Sequence, residues 1–247
     1  MSKQLDTNFR IMEQIRARVD EIVEVPATAA ALKPYYPYGC KRPTFHDEYL
    51  PAFNLPHVTL VDTAPHGVQE INERGVVHDG RQYELDVLIH ATGFEWFAAK
   101  TFDMVRGRTG DTLTEKWRKE GTRTFLGLHS RGFPNLFVVT GPQGGGGSFN
   151  FIDAIEDHVS HVVWTLETMR DRGEEVIDVS AEAEDEWTEH CRQADVMTAP
   201  LRDCVTYYNN YRTAEPGSLA YYGGRYWQRY RQRAQETLEP FEFGRRS

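Results

Sequence analysis

Tyr83-Glu-Leu-Asp-Val-Leu-Ile-His-Ala-Thr-Gly-Phe94 is the stretch on which the reading of the fold turns. Leu85, Val87, Leu88 and Ile89 form a run of branched apolar residues that stops abruptly at Ala91-Thr92-Gly93. A run apolar on both faces suits a strand buried inside an α/β sheet. Small residues at its end let another backbone, or a flat ligand, come close. The same residues also fit a core strand followed by a plain turn, and local chemistry does not separate the two.

The chain around this stretch has 247 residues, 40% of them hydrophobic, enough to bury a core in one or two domains. A formal charge of −9 argues against a nucleic-acid surface, which needs concentrated positive charge. The best apolar run, residues 133–140, is far too short for a membrane span. Asp6, Glu13, Asp20 and Glu21 near the N-terminus fit neither a secretory nor a transit signal. Cys40, Cys191 and Cys204 are odd in number and lack C-x-x-C spacing. That composition predicts reduced thiols in a cytoplasmic protein and no metal site. No G-x-G-x-x-G occurs, so the usual phosphate-gripping turn of a dinucleotide fold is missing.

Residues 7–25 read as an amphipathic helix capped by Thr7 or Asn8, with Met12, Ile15, Val19 and Ile22/Val23 as its stripe and Pro26 after its end. Residues 59–62, 67–72, 75–78 and 82–90 read as short strands, with Asp79-Gly80 a hairpin signal. Residues 113–117 fit a short helix and residues 124–128 a strand. Leu136 to Val139 reads as a buried strand with Gln143-Gly-Gly-Gly-Gly-Ser148 at its carboxyl end. A periodic helix follows, carrying Ile152, Ile155, Val159, Val162, Val163, Leu166 and Met169, and stops at Gly173. Strand, glycine loop and helix N-terminus together present free N–H groups to an anionic or electron-rich ligand. A flexible connector has the same composition. Glu156, Asp157, His158 and His161 on that helix lack H-E-x-x-H order and read as a solvated polar face. Ser180 caps an acid-rich helix over residues 180–196, Cys204 to Arg212 is a polar aromatic loop, and residues 221–238 form a basic aromatic helix. Such a helix can bind single strands, which the net negative charge disfavours.

Three motifs carry a family resemblance: Tyr-Pro-Tyr-Gly-Cys-Lys-Arg-Pro at 36–43, Ala-Thr-Gly-Phe at 91–94 and Phe-Pro-Asn-Leu-Phe-x-x-Thr-Gly-Pro at 133–142. In this order, and over the whole chain, the sequence resembles the C-terminal half of a type I Baeyer–Villiger monooxygenase of the flavin-dependent monooxygenase family. The fold so implied is α/β: a partial two-dinucleotide-binding-domain flavoprotein, with an incomplete parallel sheet, a β-meander and packed helices. Residues 1–38 would be a helical lead-in, 39–90 the end of the NADP domain, and 91–247 the C-terminal part of the FAD domain.

The resemblance implies an enzyme that uses FAD, NADPH and O2 to insert oxygen beside a ketone carbonyl, giving an ester or lactone. It sets Arg42 over the flavin as the catalytic residue and Lys41 against the nicotinamide cofactor. A fixed guanidinium would keep a flavin peroxide deprotonated and stabilise the adduct that follows. Ala91, Thr92 and Gly93 would join the two domains beside the cofactors. Gly141, Pro142, Gln143 and Gly144 would line the flavin ring. Tyr207 takes the place of a tryptophan that touches NADP and substrate. The family usually continues Gly-Pro with Gly-Ser-Pro-Ser, whereas Gln143 and four glycines stand here, so side-chain contacts differ while backbone contacts survive. Neither glycine fingerprint is in the chain. A non-catalytic fragment, a subunit needing a partner half, and a flavin monooxygenase acting on sulfur or nitrogen are the rival readings.

Overall fold

A computed structural model describes residues 3–41, 43–93, 100–144, 150–193, 204 and 225–245. The chain divides into two units, residues 1–38 with 43–94, and residues 39–42 with 95–247. Residues 39–42 go with the second unit and not with residues 43–90.

In the first unit, helix α1 runs from Lys3 to Ile22 and α2 from Pro26 to Leu32. The sequence stripe turns inward as its period requires: Met12 and Val19 are buried, as is Val23 just past the helix. Val19, Val23 and Ala29 make a small core with Leu32 and Leu50. Pro26 opens α2, where its missing N–H loses nothing. Neither Thr7 nor Asn8 caps α1, which starts four residues earlier than expected. Asn8 instead pairs with the backbone of Tyr38, donating to its carbonyl at 2.9 Å and accepting from its N–H at 3.0 Å. A short helix α3, Tyr49–Ala52, follows.

Strands β1 (Glu70–Asn72), β2 (Gly75–His78) and β3 (Arg81–Glu84) form an antiparallel meander. Asp79 (φ 48°) and Gly80 (φ 71°) make the tight turn with positive φ at both positions that twisted hairpins favour. Residues 59–62 form no strand. The meander's last backbone bond is Leu85 N–H to the Arg74 carbonyl, 3.0 Å. Beyond it, the expected buried strand over 85–90 does not form: Val87 is 72% exposed and Ile89 83%. A strand apolar on both faces needs parallel neighbours and helices on both sides. Among the described residues this chain offers neither.

In the second unit, β4 (Val176–Val179) pairs antiparallel with β5 (Phe241–Gly244). Helices α6 (Phe151–Arg172), α7 (Ala181–Gln193) and α8 (Arg225–Thr237) contribute to one core with them. Trp187, Trp227, Leu126 and Val179 are fully buried in it. A second cluster holds Leu113, Trp117 and Phe133 beside α4 (Lys100–Asp103) and α5 (Leu113–Glu120). Thr112 and Glu115 close a capping box at the start of α5, and the Ser180 hydroxyl accepts from Ala183 N–H at the start of α7 as its position predicts. Both small sheets are antiparallel, so the expected incomplete parallel sheet is absent among the described residues.

Three local expectations are corrected here. Residues 124–128 form a tight turn, not a strand, closed by the Phe125–His129 bridge with Leu126 (φ 59°) and Gly127 (φ 69°) at its tip. Leu136 to Val139 is likewise not a strand; its Val138 N–H bonds the Leu128 carbonyl at 2.8 Å, and Val139 is 41% exposed. Cys40 and Cys204 are not reduced thiols but a disulfide pair, with Cα atoms 5.8 Å apart across a separation of 164 residues. Spacing along the chain carries no trace of so distant a pairing.

Candidate functional site

The Phe-Pro-Asn-Leu-Phe motif acts through its asparagine. Asn135, with φ 59°, exchanges bonds with Ile177: its N–H donates to the Ile177 carbonyl at 2.9 Å, and its side-chain oxygen accepts from Ile177 N–H at 2.9 Å. Its amide nitrogen also donates to the Glu175 carbonyl at 3.0 Å. The motif is thereby docked on β4, which fixes where the following residues, Thr140 to Gly144, enter the site.

That segment is pressed backbone to backbone on the 125–129 turn. A Cβ at Gly127 would collide with the Gly144 backbone, and one at Gly144 would stand 2.9 Å from both the Gly127 carbonyl oxygen and His158 Cε1. Only glycine fits either place. Thr140 (φ 53°) and Gln143 (φ 63°) hold left-handed backbone on either side of Gly141-Pro142. Gln143 is fully buried. Its side-chain oxygen accepts from Thr124 N–H at 3.1 Å and Thr124 Oγ1 at 2.8 Å, and its nitrogen donates to the Thr122 carbonyl at 3.0 Å. Thr140 N–H donates to His158 Nδ1 at 3.0 Å. From α8, Trp227 Nε1 donates to the Leu126 carbonyl at 2.9 Å.

The expected polar face of α6 meets solvent only in part, at exposed Glu156 and half-buried Asp157. His158 and His161 are fully buried, while Ile152, Val159, Val163 and Leu166 are about half exposed. His129 Nε2 and His161 Nε2 lie 3.1 Å apart, so one ring donates and the other accepts. Burial pushes His129 down to about 3, His158 down to about 4, and His161 well below the usual imidazole range. No group of three or more His, Cys, Asp or Glu suited to a metal stands among the described residues.

The acid-rich helix holds one carboxylate apart from the exposed rest. Glu184 is buried on α7, 2.7 Å from Lys116 Nζ, and accepts from Arg131 N–H at 2.8 Å. Nearby, burial raises the Asp178 carboxyl, against two hydrogen bonds from Val179 and Gly132 N–H.

Of the residues expected at the site, Gly141, Pro142, Gln143 and Gly144 come together as one buried, pinned segment. Lys41 is exposed beside buried Cys40, whose disulfide ties it into the second unit. Ala91, Thr92 and Gly93 are exposed at the end of the first unit, and a Cβ at Gly93 would meet nothing within 4 Å. Arg42, Tyr207 and glycines 145–147 lie outside the described residues. Sequence reasoning missed Gly127, Thr124 and His158. Thr124 and Gly127 share the one available signal, their place in Arg123-Thr-Phe-Leu-Gly-Leu128, whose local chemistry alone is uninformative.

No protein-family profile matches the chain. A Baeyer-Villiger monooxygenase of Stachybotrys chlorohalonatus is 41% identical over 208 residues, which is 83% of this chain and 33% of that protein. The solved polycyclic ketone monooxygenase of Thermothelomyces thermophila is similar over 97% of this chain and 41% of its own, with TM-score 0.82 and 32% identity. A structure titled as the OTEMO complex with FAD and NADP gives TM-score 0.82 and 28% identity over 97% of this chain and 45% of its own. The chain spans about a third of the length of the first of these relatives.

Proposed function

The chain belongs by sequence and fold with the C-terminal part of the Baeyer–Villiger monooxygenases, and from that premise we propose that it serves an FAD- and NADPH-dependent monooxygenase acting on a ketone. The second unit would belong to the FAD domain and the first to the NADP domain. The observation that carries the reading is the pinned Thr140–Gly144 segment. It leads toward α6 and has no side chain at Gly141 or Gly144. A short backbone stretch fixed from behind by buried hydrogen bonds fits the edge of a flat ring.

When bound, FAD reduced by NADPH supplies the oxygen-activating chemistry. The chain's own residues hold and polarise. Gly141 to Gly144 would support the ring through backbone contacts. Lys41 would bind the nicotinamide cofactor, and the Ala91-Thr92-Gly93 end would let the cofactors approach closely. Arg42 would keep a permanent positive charge at the reacting oxygen and at the oxyanion that develops on the ketone. A guanidinium suits that task because it stays charged and donates through a rigid fork. Tyr207 would shape the substrate side. In the assembled enzyme, Arg42→Ala should lower kcat/KM for ketone oxidation by about 3 kcal/mol of transition-state stabilisation. Unchanged turnover would remove Arg42 from this role.

A second reading, a subunit that acts only with a partner half, is favoured by the apolar surface left open at Val87, Ile89, Ile152 and Leu166. One experiment addresses both readings. FAD is added to the chain alone, and to the chain co-expressed with the front half of the Stachybotrys relative, and each sample is desalted. Flavin absorbance retained by the chain alone supports the primary reading, and retention only with the front half selects the subunit. Colourless protein in both cases overturns the cofactor assignment.

A further inference from the structure

We propose that Gln143 and His158 are positioning residues, which shape the Thr140–Gly144 backbone from inside the protein before any cofactor arrives. The proposal rests on reading that segment as flavin-facing. Its first test needs no flavin.

The sequence leaves Gln143 looking like a replacement in a ligand-binding loop, and His158 like one polar residue on a wet helix face. The structure turns both inward. Within four residues the backbone takes left-handed φ twice without glycine, at Thr140 and at Gln143. Such conformations persist only where the surroundings over-determine them. Each has its own buried clamp, and the clamps come from different elements. His158, on α6, accepts the Thr140 N–H through Nδ1 at 3.0 Å. Gln143 is tied through three hydrogen bonds of 2.8 to 3.1 Å to the Thr122–Thr124 backbone and the Thr124 hydroxyl. Between the clamps, Gly141 N–H donates to the Val138 carbonyl at 3.1 Å and Gly144 N–H to the Gly141 carbonyl at 3.0 Å. His158 also sets the depth of the segment, since its Cε1 stands where a side chain at Gly144 would begin. A hydrogen bond made in a buried, low-dielectric setting holds its partners more firmly than one made in water. Here those bonds converge on the one segment the proposed function uses.

The test is hydrogen exchange of the peptide spanning residues 138–144 in the flavin-free chain, with the β4–β5 peptides as an internal reference. His158→Leu removes the acceptor, whereas His158→Asn keeps an acceptor near the position of Nδ1. Gln143→Glu keeps the acceptor for Thr124 and loses the donor to Thr122. Exchange should quicken at least tenfold in His158→Leu and Gln143→Glu, recover toward wild type in His158→Asn, and stay unchanged in β4–β5. Wild-type exchange in both loss variants overturns the proposal, as does failure of His158→Asn to protect better than His158→Leu. If His158→Leu does not fold, Gln143→Glu decides by the same criterion. With FAD present, in whichever form of the protein retains it, the loss variants should bind about tenfold more weakly, with His158→Asn nearer wild type. If wild type retains no flavin, the cofactor reading fails while the exchange result still judges the positioning role.

Discussion

Lys116 and Glu184 sit in the interior as a charged pair, 2.7 Å apart, each under a tenth exposed. The pair is held by more than charge. Lys116 Nζ also donates to Ser130 Oγ at 3.0 Å and the Arg131 carbonyl at 2.8 Å, and Glu184 accepts from Arg131 N–H. Without Lys116, buried Glu184 keeps only the looser Arg123 contact, 3.6 Å away, as an ion pair, so Lys116→Ala should destabilise the chain by about 3 kcal/mol in urea unfolding. Lys116→Met with Glu184→Gln should lose clearly less, because the amide still accepts from Arg131 and no buried charge is left alone. The histidines act in the opposite sense, buried as neutral rings. His129 and His158 are pushed down to about 3 and about 4, whereas an unfolded histidine titrates near 6.5. Below that value the unfolded chain takes up protons that the folded chain refuses. Stability is therefore full above about pH 6.5 and is lost as the pH falls toward the folded values. Between pH 6.5 and 5 the loss should be about 2 kcal/mol per histidine, read as the shift in urea midpoint. A flat profile over that range would mean that the rings are not buried neutral.

At the scale of the element, α6 shows why periodicity is an incomplete guide. Its sequence carries two stripes. Ile152, Val159, Val163 and Leu166 form one, and His158, His161, Thr165 and Met169 the other, and the structure buries the second. Period alone says helix; it does not say which stripe meets which neighbour. Here the aromatic core around Trp227 and Phe241 meets the histidines, and His161 lies stacked on Trp164, ring centres 5.5 Å apart. Because both valines are about half exposed, Val159→Lys and Val163→Lys should each change unfolding free energy by no more than about 0.5 kcal/mol. The same substitutions should lower the fluorescence of an apolar surface dye. A loss of several kcal/mol would show that the valine stripe is core after all. The strand expected over residues 85–90 follows the same logic, since its composition records burial that the described residues do not provide.

For the whole molecule, the Cys40–Cys204 disulfide matters most, because it fastens the Lys41 neighbourhood to the second unit. Cross-links over long separations stabilise mainly by restricting the unfolded chain, typically by about 2–4 kcal/mol. Cys40→Ser should lower stability by that order. Thiol alkylation gives the covalent check. The native, unreduced protein should label at no cysteine, since Cys191 is buried and its thiol pKa is raised by that burial. Unfolding without reductant should expose one thiol, and unfolding with reductant three. Three labels without reductant would return the cysteines to the reduced state that composition predicted.

The sequence by itself determined the kinship, through Tyr-Gly-Cys-Lys-Arg-Pro, Ala-Thr-Gly-Phe and Phe-Pro-Asn-Leu-Phe, and also the local events that short-range physics controls. These are the helix over Leu113, the Asp79-Gly80 hairpin, the Ser180 cap and the Gly173 stop, each set by residues within a few positions of one another. Tertiary structure decided whatever depended on a distant partner. It turned His158 and Gln143 inward, pressed Gly127 on Gly144, paired Cys40 with Cys204 and left residues 85–90 without a sheet. The physical reason is the range of the forces involved. Turn and cap chemistry acts between near neighbours in the chain, whereas burial, close packing and cross-linking depend on which surface comes to lie opposite, and composition does not record that.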